Sequence, residues 1–265
     1  VDPDYRGQNI FYEIYEFLFK KCAEANIQVI WGFTTAKKPF KKLGFEIPFD
    51  NEQSLAVNKI GKSYSFLSSL NSSNKSIDKL KILGLCMISK AKTIGRINSK
   101  PLAYRINEKS EVIKGVDSLI FENQTHSNSA IFAINQTPDF QDWRIYKNPN
   151  FYKVHTYSLY NEDNTLKALI IFNSHTNKVA YICQSTFCPS LSETEKVQIL
   201  QHVTKKLFEK GIVLVRSWLF NTNNLNSQEI ALHRSAGYSL LKRGNGFVWK
   251  SLEEITISPE NFYLS

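Results

Sequence analysis

The stretch Val1-Asp-Pro-Asp-Tyr-Arg-Gly-Gln-Asn-Ile-Phe11 decides the fold, because it joins the end of a predicted strand to the start of a long helix. Apolar residues recur at three- and four-residue spacing from residue 8 to residue 25, a pattern that predicts an amphipathic helix. The N-terminus of a helix offers unpaired backbone amides and the positive end of a dipole, and together these bind phosphate. Gly7 and Asn9 both tolerate the unusual backbone angles that a loop in close contact with phosphate requires. The stretch is therefore a candidate phosphate-binding loop.

Three short elements follow this helix along the chain. Residues 27–31 predict a buried strand, residues 36–43 a short helix that ends at Gly44, and residues 45–49 a second strand. Residues 61–76 are rich in Ser, Asn and Lys and show little periodicity, which predicts a linker. A helix is predicted over residues 77–92.

The chain from residue 100 onward predicts a second domain that contains more strands. Strands are expected at 102–106, 152–159, 166–172 and 179–184, and helices at 111–121 and 129–134. The aromatic and basic residues 140–149 are interpreted as a packing segment, with contact to a substrate as the alternative. Ser192 and Glu195 form a predicted capping box at the start of the next helix. A strand at 212–218, a helix at 227–236 and a hairpin around Gly244-Asn-Gly246 complete the domain.

Both halves of the chain repeat one order of elements: a long helix, an apolar strand, a short helix and a Gly-aromatic pair. The pair is Gly44-Phe45 in the first half and Gly237-Tyr238 in the second. This order, together with residues 1–11 and Lys41-Lys-Leu-Gly-Phe45, resembles the GNAT superfamily of N-acetyltransferases. The resemblance implies that the family's pyrophosphate loop, Gln/Arg-x-x-Gly-x-Gly/Ala, corresponds to Arg6, Gly7, Gln8, Asn9, Ile10 and Phe11.

The match departs from the family pattern at several positions. Asn9 replaces the central glycine of the loop, and Phe11 replaces its last small residue, with a bulk that would narrow the phosphate site unless the ring points into the core. The resemblance places the proton-donating tyrosine of many family members at Phe40, which cannot transfer a proton. The matching residue of the second half is His233, a weak candidate for acid–base work and more often a structural helix histidine. Residues 184–190 lack the Arg-x-x-Gly pattern, so the second half is interpreted as degenerate and unable to bind CoA.

The predicted fold class is α/β, with GNAT-like mixed, largely antiparallel sheets and flanking helices. Residues 1–60 are expected to form the C-terminal half of a GNAT acyltransferase domain, residues 61–99 a linker with a helix, and residues 100–265 a second, degenerate GNAT-like domain. The first domain is interpreted as N-terminally incomplete, since the family has further strands before the loop. We therefore expect this piece to lack transferase activity by itself.

The resemblance implies that the parent protein moves an acetyl or other acyl group from acyl-CoA to an amine, which attacks the thioester directly. The acceptor is expected to be a small molecule or a glycan, with an amino sugar of bacterial surface polysaccharide as one option. Two alternatives stay open: a GNAT-like module that binds without catalysis, and a relative of the aminoacyl-tRNA-dependent transferases that extend peptidoglycan bridges. Of these three hypotheses, only the CoA-dependent enzyme requires a phosphate-binding loop at Arg6.

Composition narrows the class of partner. The chain has 42% hydrophobic and 22% charged residues, as in ordinary globular proteins, and a formal net charge of +9. A basic surface attracts polyanions such as CoA, and no aromatic-basic RNA motif appears; no DNA partner is expected. No apolar run approaches the roughly 20 residues that cross a membrane. Four scattered cysteines predict buried free thiols in a reducing cytoplasm, with no disulfides and no metal site.

Overall fold

The computed structural model describes Asp4 and residues 7–71, 75–97, 102–109, 111–116, 119, 132–133, 137–149, 153–220, 224–253 and 261–263. The chain divides into two compact units. The first unit contains residues 1–51 and 242–261, and the second contains residues 52–241 and 262–265. The first unit therefore combines segments from both ends of the sequence.

The first unit contains two helices and a pair of strands. Its elements are helix α1 (Ile10–Glu24), strand β1 (Val29–Thr34), helix α2 (Lys37–Lys42) and the C-terminal part of strand β9 (Ser239–Ser251). β1 pairs with β9 antiparallel, from Val29 opposite Ser251 to Thr34 opposite Gly246. Aromatic side chains of α1 contact those of α2 and the residues after it, with neighbouring ring centroids 4.9 to 6.0 Å apart: Phe11, Tyr15, Phe19, Phe40 and Phe45. This aromatic cluster packs the two helices together.

The second unit is a sheet with helices on both faces. Its strands are β2 (Asp50–Val57, from Glu52 onward), β3 (Arg105–Lys109), β4 (Phe132–Ala133), β5 (Lys153–Tyr160), β6 (Leu166–Ser174), β7 (Val179–Phe187), β8 (Leu214–Leu219), the start of β9, and β10 (Phe262–Tyr263). Its helices are α3 (Ile60–Ser69), α4 (Ser76–Arg96), α5 (Pro138–Gln141), α6 (Glu193–Glu209) and α7 (Asn224–Ser235), with a π-helical turn at Asp142–Tyr146. The strand order is β2-β8-β7-β6-β5-β3; β7 and β8 are parallel, and the other described pairs in this order are antiparallel.

Alternating side chains of these strands pack into buried apolar clusters on both faces of the sheet. On one face of the sheet, residues such as Ala56, Tyr157 and Phe172 pack with α6 and α7. On the other face, residues such as Leu55 and Val57 pack with α3 and α4. A strand residue and its neighbour point to opposite faces, so a strand that is covered on both sides is apolar throughout. This double cover fixes the face on which α4 and α7 each lie.

The compact units divide the chain differently from the predicted boundaries at residues 60 and 100. Residues 52–57 fall within the predicted first domain, but they pair with β8 in the second unit, from Glu52 opposite Leu219 to Val57 opposite Leu214. Residues 246–251 fall at the end of the predicted second domain, but they pair with β1 in the first unit. Strand pairing between segments far apart in sequence produces this exchange, and local periodicity carries no information about it.

The prediction that residues 61–76 form a linker is wrong, because α3 occupies most of them. Ser63 is buried and its hydroxyl donates to the carbonyl of Val213 at 3.0 Å, so a polar residue stands on the core side of the helix. The predicted hairpin around Gly244-Asn-Gly246 is also wrong, since β9 runs as one strand from Ser239 to Ser251.

Two further predictions need correction. Residues 45–49 form a single bridge, Glu46 to Trp249, and the strand begins only at Asp50, after Pro48, which cannot donate a ladder hydrogen bond. The predicted helix at 129–134 contains the short strand β4 instead. The predicted helix at 111–121 lies partly outside the described residues.

The contribution of β9 to the first unit is testable through Phe247. Its side chain is fully buried, stacks on Phe49 with centroids 4.7 Å apart, and contacts Trp31 and Phe33. We expect Phe247→Ala to lower the free energy of unfolding by about 3–5 kcal/mol, the usual cost of removing a buried aromatic ring. Urea unfolding measures the change. Phe17→Ala is the matched control because Phe17 is 63% exposed, and it should cost less than about 1 kcal/mol. Equal losses in the two variants would contradict the assigned position of β9.

Candidate functional site

The described part of the loop before α1, residues 7–9, has the left-handed backbone angles that the sequence predicts for a phosphate-binding turn. Gly7 and Asn9 both have left-handed backbone angles, with φ of 85° and 59°. Asn9 is the N-cap residue of α1, and its side chain makes no capping hydrogen bond. The amides of Tyr12 and Glu13 both donate to the carbonyl of Asn9. Helix geometry gives the amides before Tyr12 no partner inside α1. The amides of Ile10 and Phe11 have no partner among the described residues, which leaves them available to an anion.

The remaining predicted loop residues are placed as follows. Arg6 lies outside the described residues. The Gln8 side-chain amide donates to the carbonyl of Asp4 at 3.4 Å, a long contact on the surface. A Cβ on Gly7 would meet nothing within 4 Å, so there is room for a side chain. Glycine is favoured there because of its left-handed backbone angle φ.

Phe11 points into the aromatic cluster of the first unit. Its ring centroid lies 4.9 Å from that of Tyr15 and 5.6 Å from that of Phe40. Tyr15 in turn lies 5.3 Å from Phe40, so a phenol stands beside the position at which the resemblance places a proton donor. Burial raises the pKa of Tyr15, which keeps its hydroxyl protonated. The bulk of Phe11 therefore contributes to helix packing.

The corresponding helix start in the second unit is closed. The Ser192 hydroxyl accepts from the Glu195 amide at 3.3 Å, and the Glu195 carboxylate accepts from the Ser192 amide at 2.8 Å. The Tyr104 hydroxyl donates to the other carboxylate oxygen at 2.5 Å. These hydrogen bonds lower the pKa of Glu195, so the carboxylate is charged. A fixed negative charge at the N-terminus of α6 disfavours a second anion there.

A group of buried polar side chains lies where β7 and β8 separate. These strands pair only over Val179–Tyr181 and Leu214–Arg216. Beyond that point Ser185 donates to the Glu229 carboxyl at 2.7 Å. The second oxygen of Glu229 is buried and has no partner among the described residues, and burial raises the pKa of this residue to about 7. Glu229 was not identified from the sequence, because one Glu in an amphipathic helix resembles a solvated side chain.

His233, the weak catalytic candidate, lies one helical turn after Glu229 and is fully buried. Its Nδ1 is 2.9 Å from the Ser54 hydroxyl, and its ring packs edge-on against Tyr238 with centroids 4.9 Å apart. Burial lowers the pKa of His233 to about 3, so the ring is neutral at physiological pH. A general acid must carry a proton and reach a substrate. The surroundings of His233 favour a structural role.

Within the described ranges, no group of three or more His, Cys, Asp or Glu side chains is arranged to hold a metal ion. Cys22, Cys86, Cys183 and Cys188 are free thiols. None of the helices that the structure describes has the length and apolar character to cross a membrane.

The Glu229 carboxyl gives a pH-dependent prediction. Its folded pKa of about 7 exceeds the ordinary value of 4.5, so the folded state keeps a proton that the unfolded state loses. The associated stability is present below about pH 4.5 and is lost as pH rises through 7. We expect Glu229→Gln to stabilise the protein by about 1–3 kcal/mol at pH 8 and to have little effect at pH 5. Thermal melting at both pH values checks this, with exposed Glu162→Gln as the control. A Glu229→Gln protein that melts below the parent at pH 8 would contradict the assignment.

Similarity to known proteins lies in the fold. No family model and no curated protein matches the sequence. The solved structure of a GCN5-related N-acetyltransferase from Anabaena variabilis superposes with a TM-score of 0.57 at 10% identity, over 96% of this chain and 53% of that one. A tandem GNAT protein from the clavulanic acid biosynthesis pathway gives 0.57 at 9% identity, over 96% and 74%. N-myristoyltransferase of Saccharomyces cerevisiae with bound myristoyl-CoA and inhibitors gives 0.55 at 10% identity, over 98% and 62%.

The chain spans about half the length of the Anabaena structure. At such identities the likeness concerns the fold alone. The mixed, largely antiparallel sheet with flanking helices agrees with the predicted fold class. The protein has the fold of the GNAT N-acetyltransferases, as the sequence resemblance implied.

Proposed function

We propose that the intact protein transfers an acyl group from acyl-CoA to an amine, and that the loop at residues 6–11 binds the CoA pyrophosphate. The observation that carries the proposal is the start of α1, where left-handed Gly7 and Asn9 precede a helix without a side-chain cap. The amides of Ile10 and Phe11 then face an anion with no competing partner among the described residues. The fold supports the proposal, since a structure with this fold contains myristoyl-CoA.

The chemistry proposed is direct aminolysis of the thioester. The amine nitrogen forms a bond to the carbonyl carbon, the carbon–sulfur bond breaks, and CoA leaves as the thiolate. The ammonium product loses one proton and the thiolate gains one. Phe40 cannot supply that proton, whereas Tyr15, whose ring centroid lies 5.3 Å from that of Phe40, carries a hydroxyl that is protonated at neutral pH. The loop itself takes no part in proton transfer and acts by positioning the cofactor.

We assign CoA binding to residues 1–60 and propose that residues 100–265 form a domain that no longer binds CoA. Glu195 supports this division, because its charged carboxylate already accepts a hydrogen bond from the Ser192 amide at the start of α6. The burial of His233 and its neutral state also fit a domain without its own acid–base chemistry. The acceptor is then a small-molecule or glycan amine in the bacterial cytoplasm, with an amino sugar of surface polysaccharide as the favoured example.

A non-catalytic binding module is the second candidate. Phe40 supports it, because a module that only recognises a substrate or a partner needs no residue to protonate a leaving thiolate. A relative of the aminoacyl-tRNA-dependent transferases would not need the α1 loop at all. Acyl-CoA affinity and acyl transfer, measured separately, distinguish these three activities.

Backbone changes in the loop should affect acyl-CoA binding more than side-chain truncation does. Gly7→Pro removes a backbone donor and fixes φ near −65°, far from the observed 85°. We expect it to abolish measurable binding in the intact protein. Gln8→Ala should change affinity by less than about threefold, since its side chain only makes a long surface contact. Arg6→Ala should lose about 10- to 100-fold, the value of a charge-assisted phosphate contact. Calorimetric titration with acetyl-CoA and longer acyl-CoAs measures all three.

Gly115→Pro provides the matched control, because Gly115 also has a left-handed angle, φ 87°, and lies in a loop of the second unit. It should leave acyl-CoA affinity unchanged. Thermal melting of every variant separates lost binding from lost folding. If folded Gly7→Pro and Arg6→Ala proteins both bind acyl-CoA like the parent, the loop assignment is incorrect.

A further inference from the structure

Helix α4 exposes a row of large apolar side chains over most of its length. The exposed fractions are 60% for Ile77, 68% for Leu80, 55% for Met87, 58% for Ile88 and 61% for Ile94. Monomeric proteins rarely leave contiguous apolar surface of this kind uncovered unless it serves an interaction.

The opposite side of the same helix is already packed. Cys86, Ser89 and Thr93 are buried, and the Ser89 hydroxyl donates to the carbonyl of Leu55 at 3.0 Å. The exposed row is therefore separate from the side of α4 that packs in the core. α4 has two apolar sides, one of which packs on the sheet of the second unit while the other faces solvent.

From Ile77 onward, the exposed side of α4 is apolar across its whole width. At 3.6 residues per turn, the residues from Leu83 round to Ile88 span an arc of about 140°. Gly84, Ala91 and Gly95 lie within the same arc, and no charged residue of the helix does. Such a wide, uncharged strip on a surface helix matches the face that an interfacial helix presents to a membrane.

Lysines line both edges of this strip. Lys79 and Lys90 lie along one edge, and Lys81 and Lys92 along the other. The Lys81 ammonium is 3.8 Å from Asp78, the one acidic residue of α4, and its side chain remains 72% exposed. Lys90 donates to the Asn58 side chain at 3.3 Å, and partial burial lowers its pKa. The two edges are therefore positively charged along most of the helix.

We propose that α4 binds the surface of an anionic lipid bilayer, with its apolar strip inserted at the boundary of the acyl chains and its lysines among the headgroups. The charge pattern selects this occupant. In a helix pair formed by two copies of the chain, lysines at both edges would face lysines, and like charges at such positions oppose association. Anionic headgroups give each edge lysine an opposite charge, and the net charge of +9 adds long-range attraction.

Sedimentation with vesicles tests the proposal on the full chain. Vesicles of phosphatidylcholine mixed with phosphatidylglycerol should bind the protein, and vesicles of phosphatidylcholine alone should bind it at least about tenfold more weakly. Added salt should reduce binding to the anionic vesicles because it screens the lysines.

Two variants test the two parts of the surface. Leu80→Ser combined with Met87→Ser removes apolar area from exposed positions, so the fold should persist while binding falls by at least about tenfold. Lys79→Gln, Lys81→Gln and Lys92→Gln together remove edge charge and should reduce binding to a similar extent. The control combines Lys114→Gln, Lys153→Gln and Lys205→Gln, which removes the same charge from exposed positions on other elements and should bind nearly as the parent does.

Three results would overturn the proposal. The first is no binding to anionic vesicles by a folded protein. The second is binding that the Leu80 and Met87 changes leave intact, or that the control loses equally, since the attraction would then be general electrostatics. The third is a dimer in sedimentation equilibrium that the Leu80 and Met87 changes dissociate, which would assign the strip to a second copy. None of these measurements depends on acyl transfer.

Discussion

The antiparallel pairing of β1 with residues 246–251 is the interaction on which the first unit depends. β1 has β9 as its described partner in this unit, and the rings of Trp31 and Phe33 on β1 contact Phe247 on β9. A strand without a partner exposes unpaired backbone groups, and a two-stranded ribbon is stable only when other elements cover it. The first 51 residues therefore require the distant C-terminal segment. The second unit has the converse requirement, since β2 pairs with β8.

Elements with strong local periodicity were predictable from the sequence. The apolar spacing of α1, the capping box of α6 and the strands predicted at 152–159, 166–172 and 179–184 all correspond to described elements. The left-handed angles expected of Gly7 and Asn9 are present. These features depend on residues that are close in the chain, so the sequence carries their physics directly.

The failures occur where a residue serves a distant neighbour. Gly246 lies within a strand and not in a turn. A Cβ at this position would lie 2.6 Å from the Ile47 side chain, so glycine is needed there for the close approach of Ile47 to the strand. Ser63 lies on the buried side of α3, where its hydroxyl donates a hydrogen bond to the carbonyl of Val213, 150 residues away in the sequence. Neither partner can be identified from spacing. The same limit hid Glu229, whose hydrogen bond to Ser185 joins α7 to β7 over 44 residues.

The two long helices that begin after a loop differ in how their first amides are satisfied. α6 has both hydrogen bonds of a capping box and a further hydrogen bond from Tyr104. The capping box satisfies backbone amides at the start of the helix and thereby stabilises it. α1 has none of these, although Asn9 is a residue type that caps helices well. Its left-handed backbone is the reason, because a capping side chain needs an extended backbone at that position, as Ser192 has.

Helix α1 thus forgoes about 1 kcal/mol that an ordinary cap would contribute. Helices α3 and α4 also begin without a side-chain cap, so what distinguishes α1 is the left-handed backbone of its N-cap residue, Asn9. The loss of a cap is small beside the several charge-assisted hydrogen bonds that a pyrophosphate would accept from backbone amides. The uncapped, left-handed start of α1 and the carboxylate at the start of α6 therefore support the proposal that the first half of the chain binds phosphate.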